Sequence, residues 1–303
     1  MVSNRLNWLD IAKGIAILLM VIGHTSIPTI LSNFIWAFHM PLFFIASGWT
    51  TNWHKTDFKG FTKRKIRTLI VPFLIYSLVV LLIHILQEWV DFNHWIYNGW
   101  VSYALWFIPV LFLASLFAKL IYSIKNRYLV LSFAFMFAAI SGVLSFYKIH
   151  LPWSISSVPF ATALIVVGSE LKRYSTWIGD SKLWHILILF LVTAGISQFW
   201  RLDLSFNSIL PFIPLTIGAL AGTLMIFMVS SWIDKYFKYV SNMLQKVGNE
   251  TYLIVAFSQI IIMLLNEYFL LNAVLKYSFL LLSLIGLKYI KDGVNILAKA
   301  NIL

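Results

Sequence analysis

Apolar positions in this chain gather in long, nearly unbroken runs instead of the one-sided stripes of surface helices. The runs occupy about residues 9–30, 33–52, 66–87, 103–124, 128–147, 153–171, 183–200, 208–231, 251–271 and 273–290. Each approaches the roughly 20 residues that a helix needs to cross ~30 Å of hydrocarbon. Alternation with a period of two is absent, which argues against a transmembrane barrel. Backbone amides cannot face lipid unpaired, so the runs are predicted to be helices. The pattern predicts an all-α, polytopic membrane protein of about ten transmembrane helices. Residues 1–303 are expected to form a single membrane-embedded domain with no appended soluble domain, because every loop is short.

Composition supports this reading. Hydrophobic residues make up 60% of the 303 and charged residues 11%, a balance that no single soluble core could bury. Charge adds an orientation. With the N-terminus in the cytoplasm, twenty Lys and Arg residues fall in cytoplasmic loops and tails, and only Lys148, Arg201 and Lys276 fall on the other side. Both termini are therefore expected in the cytoplasm, and the net charge of +12 follows from membrane topology. The expected location is the cell membrane, as a multi-pass protein of a bacterial plasma membrane. Scatter of the basic residues over many loops argues against nucleic acid as a partner. Cysteine is absent, which removes disulfides, a thiolate nucleophile and cysteine metal sites. The first run starts with Asp10 and Lys13 and no small-residue cleavage site follows it, so it is expected to be retained as a helix.

Polar residues inside such runs are costly and mark candidate function. His24 follows an apolar stretch and lies eleven residues after Lys13. Eleven helical steps come to roughly 20° past three full turns, so Lys13 and His24 share one face ~16 Å apart. His39 in the second run sits at a depth similar to that of His24 if the two helices are antiparallel neighbours. Pro41 breaks the backbone ladder beside it, and Ser47 with Gly48 permits close approach of another helix or a ligand. Arg64 and Arg67, entering the third run, are three residues apart and could hold phosphates by bidentate contacts; their bland alternative is membrane anchoring. Glu170, and Glu267 with Asn266, are read chiefly as interfacial ends, and His84 and His185 as structural histidines. Asp10 shares the face of His24 but is too distant along the axis to orient it. No Walker loop, no dinucleotide-binding glycine motif, no His-Glu-x-x-His and no nucleophile elbow occurs.

Leu9-Asp10-Ile11-Ala12-Lys13 through Gly23-His24, with a basic residue, ten residues and a histidine, resembles the first helix of the acyltransferase family 3 membrane proteins. Phe38-His39-Met40-Pro41-Leu42-Phe43-Phe44 to Gly48 resembles that family's second-helix motif, in wording nearest the branch related to fucose 4-O-acetylase. Arg64-Lys65-Ile66-Arg67 with Pro72-Phe73 is similar to its two-arginine motif. Leu105-Trp106-Phe107-Ile108-Pro109 and Gly248-Asn249-Glu250-Thr251-Tyr252 are similar to its later segments. Many members carry a histidine soon after that last segment, whereas Ala256-Phe257-Ser258-Gln259 has none.

The resemblance implies a membrane O-acyltransferase using an acyl-CoA, usually acetyl-CoA, as donor and a hydroxyl of a cell-surface or lipid-linked glycan as acceptor, with no metal or prosthetic group. His24 is the candidate general base, since a neutral imidazole accepts a proton near neutral pH. His39 could orient His24, bind the acceptor or stabilise the developing oxyanion. Lys13, Arg64 and Arg67 are the candidate donor-binding cations, and Asp10, Ser47, Trp106 and Glu170 are further candidates for substrate contact. A transporter or flippase for a glycan or small solute is the alternative, against which stands the absence of an internal repeat. A noncatalytic membrane protein on the same scaffold is a third reading.

Overall fold

A computed structural model describes residues 6–25, 27–89, 104–269 and 273–300. Among these residues the only strand-like pairing is an isolated bridge between Asp203 and Ser208, and every named element is helical. The helices are α1 (Asn7–Gly23), α2 (Thr29–Thr50), α3 (Phe58–Leu86), α4 (Phe107–Ile121) and α5 (Arg127–Phe146). They continue as α6 (Val158–Leu171), α7 (Leu183–Phe199), α8 (Phe212–Tyr236), α9 (Lys238–Asn249), α10 (Thr251–Tyr268) and α11 (Ala273–Ala300). Each of the ten apolar runs carries one of these helices. Six described segments are long and apolar enough to cross a membrane, and α4 and α7 are shorter apolar helices. The protein is an all-helical membrane protein.

Burial sorts the helices into a centre and a rim. In α3 and α5 only 22% of the apolar window is buried, whereas in α2, α8 and α10 the share is 56%. Leucines and phenylalanines such as Leu78, Leu82 and Phe135 on the rim stay exposed at no cost when their solvent is lipid. At the centre, α1 packs on α2, α8 and α9, and α2 packs on α6 and α8. Trp49, Phe38, Phe44, Phe160 and Phe227 fill this centre with almost no exposed surface. Small residues let the backbones meet: a Cβ on Gly48 would strike the Ile165 carbonyl, and one on Gly168 would strike that of Ile45. This reciprocal crossing holds α2 against α6 and fixes the register of the α2 face beyond it.

Three local departures shape the interior. Helix α2 runs through Pro41, which lacks an N–H and removes one rung of the ladder in its middle. Helix α3 contains a π turn over Ile66–Ile70, and the Leu69 carbonyl there accepts a hydrogen bond from the Tyr252 hydroxyl of α10 at 2.7 Å. Helix α9 lies where the sequence reading placed a cytoplasmic loop. It is amphipathic and too polar and short to register as an apolar run; Ser241 and Gly248 face inward while Tyr239 and Met243 are exposed.

Candidate active site

Along α1, Lys13, Ile17, Met20 and His24 follow one another at intervals of four, three and four residues, the spacing of a single helical face. Along antiparallel α2 the matching face carries Trp36, His39, Met40, Phe43, Ser47 and Thr50. These two faces line two adjoining cavities. The larger, of about 190 Å³, is walled by Lys13, Ile17, Phe43, Ala46, Ser47 and Thr50, with Leu69 from α3, Phe107, Ile108 and Leu111 from α4, and Thr251, Tyr252 and Val255 from α10. The smaller, of about 20 Å³, is walled by His24, Trp36, His39, Trp106, Leu202 and Leu204. Met20, Met40 and Ala104 line both. Taken in order, the lining residues mark a route from Lys13, past the two methionines, to the histidines.

Both imidazoles are held by their own helices. His24 caps the C-terminus of α1, and its Nδ1 lies 2.8 Å from the Met20 carbonyl; His39 Nδ1 lies 3.0 Å from the Ile35 carbonyl. A carbonyl only accepts, so each Nδ1 carries the proton and each neutral ring keeps its lone pair on Nε2. Two rings with a free base atom stand 6.4 Å apart, edge to face, and Trp36 lies 5.3 Å from each. His39 is buried and His24 half-buried.

The chamber is closed by the loop between α7 and α8. Asn207 pins it: the Ser141 hydroxyl donates to Asn207 Oδ1 at 2.6 Å, and Asn207 Nδ2 donates back to the Ser141 carbonyl at 3.0 Å. Ser157 donates to the Leu204 carbonyl, and the Ile209 amide donates to Ser145 Oγ at 3.3 Å. Leu202 and Leu204 are thereby held in the chamber wall. The same loop brings Arg201 over the Trp36 ring, with its guanidinium carbon 3.9 Å from the centroid and Nη1 donating to Ser32 Oγ at 3.1 Å. Arg201 and Asp203 lie within electrostatic reach of His24.

The structure brings together Lys13, His24, His39, Ser47 and Trp106 on this route. Asp10 is placed beside it as the ion partner of Lys13, at 2.6 Å, and is buried. Arg64 and Arg67 are exposed and lie outside the cavity lining; the Arg64 guanidinium rests over the Phe61 ring at 5.5 Å, and α3 reaches the cavity through Leu69. Glu170 stands apart, paired with Arg127 at 2.9 Å and Arg173 at 3.1 Å. His185 accepts from the Lys182 amide at the start of α7. Among the described residues no group of three or more His, Asp or Glu side chains could hold a metal ion.

Sequence reasoning missed Trp36, Met20, Met40 and Arg201. The first three were available from the helical faces that carry Lys13, His24 and His39. Arg201 was visible only as one of three basic residues on the basic-poor side.

No curated protein and no solved structure matches the chain. Residues 6–291, by contrast, match the acyltransferase domain model. With nearly the whole chain covered, the protein belongs to acyltransferase family 3, a family of membrane acyltransferases.

Proposed function

We propose that this protein is an O-acetyltransferase of a bacterial plasma membrane that moves an acetyl group from cytoplasmic acetyl-CoA to a hydroxyl of a cell-surface or lipid-linked glycan. The acceptor class follows the wording His39-Met40-Pro41-Leu42-Phe43-Phe44, which is nearest the fucose 4-O-acetylase-like branch. In this reading about ten helices cross the membrane, both termini are cytoplasmic, and Lys13 marks the cytoplasmic end of the route. The observation that carries the proposal is the pair of adjoining cavities joining that cation to two imidazoles with free Nε2 atoms.

The larger cavity suits the pantetheine arm. Its walls are mostly apolar, with Ser47, Thr50 and Thr251 as hydroxyl partners for amides. Lys13 meets the phosphate end, sharing its charge with Asp10. Arg64 and Arg67 stand within roughly 8 Å of Leu69 along the axis of α3 and meet the outer phosphates from the surface.

In the chamber, His24 Nε2 takes the proton of the acceptor hydroxyl as its oxygen attacks the thioester carbonyl. The carbon–sulfur bond then breaks, and the imidazolium returns the proton to the departing thiolate, leaving an ester and free CoA. General-base assistance of this kind contributes ~10²- to 10⁴-fold. His39, 6.4 Å away, is placed to stabilise the oxyanion or to hold the acceptor. Arg201 and Trp36 form a cationic and aromatic platform on the far side, suited to hydroxyl groups and the apolar face of a sugar ring.

The test is mass spectrometry of surface glycans from cells with and without the protein, together with labelled acetyl transfer by membranes of both. A specific loss of glycan acetyl groups supports the reading. Unchanged glycans, with no acetyl-CoA consumed by membranes that contain the protein, overturn it.

A further inference from the structure

The two cavities differ about tenfold in volume, 190 against 20 Å³, and the three residues common to both stand between them. A water-sized group needs ~10–15 Å³ on the same measure, so with the reacting atoms seated beside His24 the chamber has little spare room. Its walls give little room for adjustment. Met20 and Ala104 are buried at 1% and 6% exposure, His39 is equally enclosed, and Leu202 and Leu204 belong to a loop tied to α5 and α6 by Asn207 and Ser157. Met40 is half-buried, and its unbranched thioether is the most adaptable part of the boundary.

We propose that Met20, Met40 and Ala104 form a selectivity neck that restricts the transferred group to the shortest acyl chains and excludes those of four carbons or more. This rests on the acyl-CoA reading above and deepens it by naming which donors the site accepts. Once the thioester carbonyl lies beside His24, every carbon beyond it has to fit in the chamber or fold back through the neck. An acetyl methyl meets that condition. Each further methylene presses on Met20, Trp36 or Leu204, and one misfitting methylene in an enclosed apolar site typically costs ~10- to 200-fold in specificity. Truncating Met40 joins the two volumes and gives the longer chain somewhere to go, whereas enlarging Ala104 narrows the passage.

The experiment is dual-label competition in membranes from cells carrying the protein, which supply the natural acceptor. Tritiated acetyl-CoA competes with carbon-14 propionyl-, butyryl- or hexanoyl-CoA, and the isotope ratio incorporated gives the ratio of kcat/KM. The wild type is expected to prefer acetyl over butyryl at least tenfold. Met40→Ala is expected to lower that preference at least fivefold, and Ala104→Val to raise the discrimination against propionyl. Butyryl incorporation within threefold of acetyl in the wild type overturns the neck. So does a Met40→Ala variant that is well inserted and changes all donors in equal proportion. Absence of incorporation from every acyl-CoA overturns the acyltransferase reading itself, and the neck with it.

Discussion

The larger cavity and the histidine chamber share one wall of two helices, yet they are built from different chemistry. The first is walled mostly by apolar residues from five helices, Phe43, Phe107 and Tyr252 among them, and ends at a cation paired with a buried carboxylate. The second is walled by two histidines and two tryptophans under a loop fastened to Ser141 of α5. Roomy apolar walls bind a long flexible arm with few directional demands, whereas a tight aromatic chamber positions a few atoms to within tenths of an ångström. Under the proposed function, binding and chemistry fall on separate stretches of the same helical faces. Substitutions should therefore separate donor KM from kcat according to which stretch they fall in.

The sharpest way to break this division is at His24. His24→Gln keeps a hydrogen-bonding side chain but cannot take a proton at neutral pH, and kcat is expected to fall ~10²- to 10⁴-fold with donor KM little changed. Acetyl incorporation per inserted molecule measures it, and near-normal turnover would move the base to His39.

At the other end, Lys13→Ala is expected to raise donor KM about tenfold or more, because it removes a charge-assisted contact while the Asp10 carboxylate stays in place. The double variant Lys13→Gln with Asp10→Asn should recover part of that loss. Recovery absent from saturation curves on membranes would mean that Lys13 contacts the phosphates without Asp10 opposing them.

Arg201→Ala is expected to raise acceptor KM about fivefold, since it removes a cation stacked on Trp36. Donor KM should stay unchanged, and a shift in donor KM instead would erase the distinction between the two sides of the chamber.

The smallest effect is expected at the surface arginines. Arg64→Ala and Arg67→Ala should each raise donor KM roughly twofold to threefold, and less at high salt, because exposed charges are screened. Insensitivity of the double variant to both donor and salt would leave these residues as membrane anchors only.

Much of this was legible before the structure. The face shared by Lys13 and His24 follows from helical periodicity alone, and the structure places the two residues in adjoining cavities. The similar depth of His24 and His39 follows from a short turn between antiparallel helices. Glu170 was harder: a carboxylate at a helix end looks alike in sequence whether it meets a substrate or two arginines, and here Arg127 and Arg173 hold it. Spacing also placed Arg64 and Arg67 on one side of a regular helix, but the π turn at Ile66–Ile70, secured by Tyr252, changes the local pitch. Helix α9 escaped notice because an interfacial helix needs only one apolar face.

By itself, the sequence determined that the chain is helical and membrane-embedded, and it determined which residues share a face, because hydropathy and the 3.6-residue period act locally along the chain. Only the tertiary structure decided that the Arg201 loop seals the histidine chamber, that Asp10 neutralises Lys13, and that Met20, Met40 and Ala104 divide one route into two volumes. Each of these depends on how far apart the helices stand and on side chains from segments distant in sequence, such as Ser141 with Asn207 and Gly48 with Ile165. Periodicity fixes the direction a residue points in, whereas packing fixes what it meets there.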